Sequence, residues 1–165
     1  MSIKDIEQQI IEEFAIFTDW MDKYEYLIEL GKSVPLIPEN AKLETNLIKG
    51  CQSRVWLDAE YDSGKLFFKA DSDAIITKGI ISLLIRIYSG RSPEEILAAD
   101  INFIKEIGLQ DNLSPTRANG LLSMIKVHQA CFNIHFFFNK ESVYFGIIYA
   151  VQFFEIFEFG VYLTF

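Results

Sequence analysis

The chain has 165 residues, half of them apolar and 23% charged, a balance that excludes wholesale disorder, collagen-like repeats and low-complexity linkers. Its length favours one core over two, because small domains bury proportionally little surface. A formal net charge of −8, from 15 basic and 23 acidic side chains, opposes phosphate backbones, and with no basic patch to offset it a nucleic-acid partner is excluded.

The acidity is concentrated early: residues 1–41 hold three lysines against nine carboxylates, whereas residues 42–69 hold five basic and four acidic side chains. Ile3, Ile6, Ile10, Phe14, Phe17 and Met21 recur at three- and four-residue steps, which predicts an amphipathic helix with Ser2 as its cap. This start is charged and lacks the apolar run of a secretory signal, so a cytoplasmic protein is expected. Thr18 or Asp19 begins a second helix carrying Trp20, Tyr24, Leu27 and Ile28, and Gly31 is placed to end it. Val34-Pro35-Leu36-Ile37-Pro38 follows as an extended loop, because each proline lacks a donor and restricts its predecessor.

The period then changes. Val55, Leu57 and Ala59 alternate with Arg54, Trp56 and Asp58, and Tyr61-Asp62-Ser63-Gly64 offers turn chemistry before Lys65–Lys69, so a hairpin is expected. Leu47-Ile48 is expected as a third short strand, leaving Lys49-Gly50-Cys51-Gln52 as the connection into the hairpin. Ile75, Ile76, Gly79, Ile80, Leu83, Leu84 and Ile87 have helical spacing and predict a central buried helix, with Gly79 admitting a close neighbour. Asp73 is the expected cap of that helix. Ser92-Pro93-Glu94-Glu95 combines an N-cap serine, a proline in the first turn and a glutamate at the third position. A helix over Ile101–Ile107, ended by Gly108, and another begun by Ser114-Pro115 complete the domain. The fold expected is therefore α+β, a small antiparallel three-stranded sheet flanked by helices.

Two cysteines, Cys51 and Cys131, lie 80 positions apart with no Cys or His at structural zinc spacing, so neither a metal site nor a disulfide framework is expected. An isolated cysteine ordinarily behaves as a small buried hydrophobe. At position 51, however, Gly50 permits a tight turn, and Lys49 and Arg54 place positive charge nearby, which favours the thiolate. Hydrolytic or acyl-transfer chemistry needs a base beside the thiol, and the only histidines, His128 and His135, lie near the chain's end. Exchange between a thiol and a persulfide makes no such demand, because some thiolate is present at neutral pH and the leaving group is itself a thiolate. That comparison favours sulfur relay.

Ile48-Lys49-Gly50-Cys51-Gln52-Ser53-Arg54-Val55-Trp56 closely resembles the cysteine motif of SufE-type sulfur acceptors, small proteins that collect sulfur for iron–sulfur cluster assembly. The resemblance continues through Asp71-Ser72-Asp73-Ala74, Lys78-Gly79, Gly90 with Ser92–Ile96, and Leu113-Ser114-Pro115-Thr116-Arg117 to Gly120-Leu121, spanning roughly residues 5–128. It implies that Cys51 is the acceptor and rests in an apolar cavity when unpartnered. It also implies two partners. A SufS-type cysteine desulfurase, which uses pyridoxal phosphate, hands the outer sulfur of its own persulfide to Cys51, and the SufBCD scaffold complex receives it. The chain is then expected to need no cofactor of its own.

The resemblance further gives Asp73 a share in desulfurase docking, and Arg117 is either a first-turn surface residue or, as the resemblance implies, a partner-facing forked donor for a carboxylate. Lys49 and Arg54 are either solvated loop charges or holders of a persulfide anion. Gln52 and Ser53 either cover the sulfur by hydrogen bonding or simply continue the loop, and Trp56 is expected in the core. Two rival functions stand beside sulfur transfer: a non-catalytic docking module that stimulates a desulfurase, and an iron–sulfur scaffold, for which one motif cysteine supplies too few ligands. A homodimer is an open option that no pattern in the chain specifies.

The acceptor domain is expected over residues 1–130, with residues 131–165 as an extension that has no counterpart in the family. Thirteen of the 24 aromatic residues fall in that extension. Its apolar run Val143–Phe154 is too short to span a bilayer, which takes about 20 residues. An interfacial segment, an added β-rich layer and non-native sequence all remain open for it, and exposed aromatic surface there would promote association.

Overall fold

The computed structural model describes residues 1–137, with side chains through Ala130. Among these residues the order is α1 (Ile3–Ala15), α2 (Trp20–Lys32), two 3-10 turns at Glu39–Ala41 and Glu44–Asn46, and the strands β1 (Val55–Asp62) and β2 (Lys65–Ser72). They are followed by α3 (Ile75–Tyr88), α4 (Pro93–Leu97), α5 (Phe103–Glu106), α6 (Leu109–Asn112) and α7 (Pro115–Phe137). The architecture mixes helices with one antiparallel pair of strands. The extension beyond residue 137, including the Val143–Phe154 run, lies outside the described residues. Among the described residues no helix is long and apolar enough to cross a membrane.

Local chemistry explains the helix starts. Ser2 and Asp5 form a reciprocal capping box at α1, Asp19 accepts from the Asp22 amide at α2, and Ser92 with Glu95 forms a second capping box at α4, where Pro93 opens the helix. Each cap satisfies amides that the helix itself leaves orphaned. The ends differ from expectation at two places. Helix α1 stops at Ala15, and Met21 lies in α2 with 68% of its surface exposed, because Asp19 recaps the chain before the apolar spacing can continue. Gly31 does not end α2, which runs on to Lys32 with Ser33 as its C-cap. Instead Gly31 sits inside the helix, where a Cβ would stand 3.0 Å from the Gly79 amide nitrogen.

Helix α3 is the axis of the core. Nine of its fourteen residues are buried, among them Ile80, Leu83, Leu84 and Ile87. Its flanks pack against α2, β2, α1 and α7. Burial of each large aliphatic side chain contributes roughly 1.5–3 kcal/mol before the cost of ordering the chain. A bidentate ion pair adds direction: Arg86 of α3 donates to both Glu13 carboxylate oxygens of α1 at 2.6 and 2.7 Å, and Tyr26 of α2 donates to the same carboxylate at 2.9 Å. One acidic group thereby ties three helices together. The guanidinium bond leads among the causes that hold the Glu13 pKa below the ordinary carboxylate value.

The hairpin is as expected, paired from Val55↔Ser72 to Asp62↔Lys65. Its turn residues Ser63 and Gly64 both take positive φ, 50° and 85°, the backbone that a two-residue hairpin loop requires. The third strand is absent. Leu47 makes only an isolated bridge to Trp56, since the 3-10 turn at Glu44–Asn46 precedes it and the chain turns away at Gly50, leaving no run long enough to build a ladder. Among the described residues the sheet is therefore two-stranded. The proline segment behaves as expected and lies along β2, where Ile37 donates to the Ala70 carbonyl and Ala70 donates to Pro35.

His128 of α7 is wholly buried. Its ring stacks on Tyr88 at 5.2 Å and lies 4.7 Å from Phe68. Nδ1–H donates to the Met124 carbonyl at 2.7 Å, while Nε2 has no partner. Burial, only partly opposed by the Met124 bond, pulls its pKa from 6.5 down to about 4. The unfolded chain thus binds a proton near pH 6.5 that the native chain refuses until about pH 4, so stability is present above pH 6.5 and is lost as pH falls through this window. The loss expected is about 3 kcal/mol. Urea titrations at pH 7 and pH 4 check this, and His128→Phe is expected to flatten the difference; an unchanged acid limb in that variant would refute it.

Candidate functional site

Cys51 sits in a loop, residues 49–54, whose base is closed by a hydrogen bond from the Ile48 amide to the Val55 carbonyl at 2.8 Å. Gly50 turns the chain at φ +85°, a conformation with little cost only for glycine. The far side of the loop is pinned by Asp73, whose Oδ1 accepts from the Arg54 amide at 3.0 Å, while Ser72 donates to the Arg54 carbonyl at 2.9 Å. Asp73 is consequently not the helix cap it was expected to be. Ala74 occupies that position without a side-chain cap, and the carboxylate is engaged by the cysteine loop instead.

The thiol points into the protein. It lies in a shallow, partly open depression lined by Cys51, Gln52, Ser53, Thr77, Ile80, Arg117, Gly120 and Met124. Sγ donates to the Gly120 carbonyl at 3.5 Å, and Gln52 Oε1 accepts from the Thr116 hydroxyl at 3.0 Å. Burial pushes the Cys51 thiol up to about 11, so the resting group is protonated at neutral pH. This reverses the expectation that Lys49 and Arg54 favour the thiolate. Arg54 is laid over the Trp56 ring, 4.9 Å from its centroid, and Lys49 is exposed; desolvation alone governs the sulfur.

Of the residues singled out in the sequence, Gln52, Ser53 and Arg117 share the depression with Cys51. Gly50 and Asp73 shape the loop, and Lys49, at the loop's start, does not line the depression. Arg117 is exposed and makes no salt bridge with any described side chain, which leaves its fork open to a carboxylate from outside. Trp56 is buried as expected, at 9% exposure, with Lys42 5.7 Å from its ring.

On β2, Asp71 bonds Lys42 at 2.6 Å and Lys78 at 2.7 Å. Burial raises its pKa, but these two ammonium donors outweigh that effect and hold the carboxyl at about 2. This carboxylate, which does not line the depression, is therefore ionised at any physiological pH. Thr77 was not anticipated. It is 4% exposed and donates to Ser53 at a long 3.4 Å, and its signal in the sequence was the single hydroxyl in the apolar run from Ile75 to Ile81. Thr116 belongs to the Ser114–Arg117 motif but had no role assigned to it, and Ser123 carried no signal, because their contacts with Gln52 and Gly50 run across the fold.

The arrangement offers a nucleophilic sulfur without an acid–base partner: no imidazole or carboxylate lines the depression. His128, the only histidine among residues with described side chains, is held against Phe68 and Tyr88.

Comparison with known proteins agrees with the motif resemblance. Residues 8–131 match the model of the SufE, Fe-S metabolism associated domain. An uncharacterized SufE-like protein of Rhizobium etli is 41% identical over 123 residues, covering 72% of this chain and 83% of the relative. A SufE-like protein of Synechocystis sp. is 38% identical over 121 residues, covering 73% and 76%. SufE-like protein 1, chloroplastic/mitochondrial, of Arabidopsis thaliana is 39% identical over 123 residues, covering 74% of this chain and 33% of that longer one. The solution structure of a hypothetical protein from Thermus thermophilus superposes with a TM-score of 0.64 at 25% identity, covering 78% of this chain and 93% of its own. With a domain match over residues 8–131 and relatives near 40% identity over most of their length, the chain belongs to the SufE family.

Proposed function

We propose that this chain is a sulfur acceptor for, and activator of, a pyridoxal-phosphate cysteine desulfurase of the SufS type. The observation that supports the reading is a loop thiol at a depression whose lining holds no imidazole or carboxylate. Cys51 attacks the outer sulfur of the desulfurase persulfide. A new S–S bond forms to Sγ, the donor's S–S bond breaks, and the donor cysteine leaves as thiolate and takes up the proton that Cys51 lost. One persulfide and one thiol become another persulfide and another thiol, with no net oxidation. The loaded chain then delivers the sulfur to the SufBCD scaffold. Arg117 receives a carboxylate of the desulfurase, and the reaction belongs in the cytoplasm, where a thiol without a disulfide partner stays reduced.

Incubation with desulfurase and free cysteine, followed by intact mass, is expected to show one added sulfur on the wild type and none on Cys51→Ser. No addition to the wild type, or an equal addition to Cys51→Ser, would sink the proposal. The high thiol pKa gives weight to a second reading, a docking module in which Cys51 only packs. On that reading Cys51→Ala still raises desulfurase turnover without added reductant; on the first it does not.

A further inference from the structure

The two edges of the hairpin are met differently by the rest of the chain. On β2 each outward residue finds a partner: Ala70 donates to Pro35 and accepts from Ile37, the Phe68 amide donates to the Ser89 hydroxyl, and Leu66 donates to Arg91 and accepts from Gly90. These bonds fix which residues face away from the partner strand, because inward and outward groups alternate along an antiparallel pair. Phe68 and Ala70 stand opposite Ala59 and Leu57, so Leu57 and Ala59 turn their own backbone groups to the outer edge of β1. There the described chain supplies little. Ile48 donates to the Val55 carbonyl and Leu47 bridges Trp56, and over residues 57–60 no described segment pairs with the edge. The Ala59 amide bonds the carboxylate of its neighbour Asp58, a local bond that guards the position without covering it.

Charge runs in rows across the same sheet. Asp58, Glu60 and Asp62 lie on one face of β1, since side chains alternate with period two, while Leu57 and Ala59 are buried on the other. Asp58 and Asp62 stand opposite Lys69 and Lys65 of β2. Glu60 is exposed, stands opposite Phe67 and reaches Lys69 only diagonally, at 3.5 Å. We infer that the outer edge of β1 over residues 57–60 is a strand-addition site for an extended segment of a partner protein in which apolar and basic residues alternate. The main chain of that segment pairs with Leu57 and Ala59, its apolar row continues the core face, and its cations stand beside Asp58 and Glu60, extending the order basic, acidic, basic across three strands. A lysine there also receives the Asp58 carboxylate when the Ala59 amide exchanges it for an incoming carbonyl.

The charges select this occupant over two others. A second copy paired antiparallel about Ala59 would set Asp58 of each chain opposite Glu60 of the other, like charges in direct register. The chain's own apolar run, residues 143–154, contains no basic side chain. No residue of β1 lines the Cys51 depression, so the edge is a separate surface and its use does not depend on sulfur transfer.

The test uses the full chain and a short fluorescein-labelled peptide alternating valine and lysine, beside one with the same residues in two blocks and one alternating valine and glutamate. Anisotropy reads binding, and hydrogen exchange at the Ala59 amide reads the contact. The alternating lysine peptide is expected to bind and, at about ten times its Kd, to slow exchange at Ala59 about tenfold. Glu60→Lys is expected to weaken that peptide about tenfold and to gain affinity for the glutamate peptide, a gain that a misfolded variant would not show. Absence of binding, equal binding of the block peptide, or an Ala59 amide that the bound peptide leaves unchanged would overturn the site. Without peptide, Ala59 protection that grows with protein concentration would assign the edge to a second copy, and protection lost in Ile148→Pro would assign it to the chain's own extension; either result overturns the proposal.

Discussion

Gly79→Ala is expected to destabilise the fold by about 3 kcal/mol, the upper end of ordinary overpacking. A Cβ at this position would lie 2.1 Å from the Leu27 carbonyl oxygen and 2.6 Å from its carbon. Both are backbone atoms of α2, so no rotamer change relieves the clash and the helices must separate. Gly31 faces the same contact from the other side, where its Cβ would meet the backbone of Lys78 and Gly79. Separation withdraws α2 from the α3 surface that buries Leu27 and Ile80. Alanine's better helix propensity, about 1 kcal/mol over glycine, offsets only part of the loss. Urea unfolding measures it, and a fall in thermal midpoint of about 10 °C should accompany it. A variant as stable as the wild type would show that α2 and α3 do not approach this closely.

In the free protein, alkylation of Cys51 is expected to rise with pH through about 11, well above the range of an ordinary cysteine. The cause is desolvation, which penalises the thiolate and leaves the thiol untouched. At neutral pH the thiolate fraction, and with it the rate, falls about a hundredfold below that of an exposed thiol. The same protein in denaturing urea is the control and should titrate in the usual thiol range. A folded-state midpoint equal to the urea control would mean that the sulfur is solvated at rest, contrary to its seat against Gly120.

How much of this was legible in the chain depends on the range of the interaction. The caps at Ser2, Asp19 and Ser92 were readable because an N-cap and its partner amide are three residues apart. The hairpin was readable because its turn chemistry and alternation lie within one short segment. Leu47 misled, since two apolar residues satisfy a strand pattern that the flanking turns do not allow to extend. Asp73 misled for a different reason: an acidic residue before a helix suits a cap, yet the Arg54 amide, 19 residues earlier, competes for the same oxygen and takes it.

Cys51, its glycine and its family are local facts of the sequence, since a short ordered motif carries them and no base need be found elsewhere. The state of that cysteine is not local. Its protonation depends on which helix lies over it, and α7 comes from far along the chain to supply Thr116, Gly120 and Ser123. The identity of the nucleophile follows from covalent neighbours, whereas its solvation, and so its reactivity at rest, follows from packing that only the folded chain brings about.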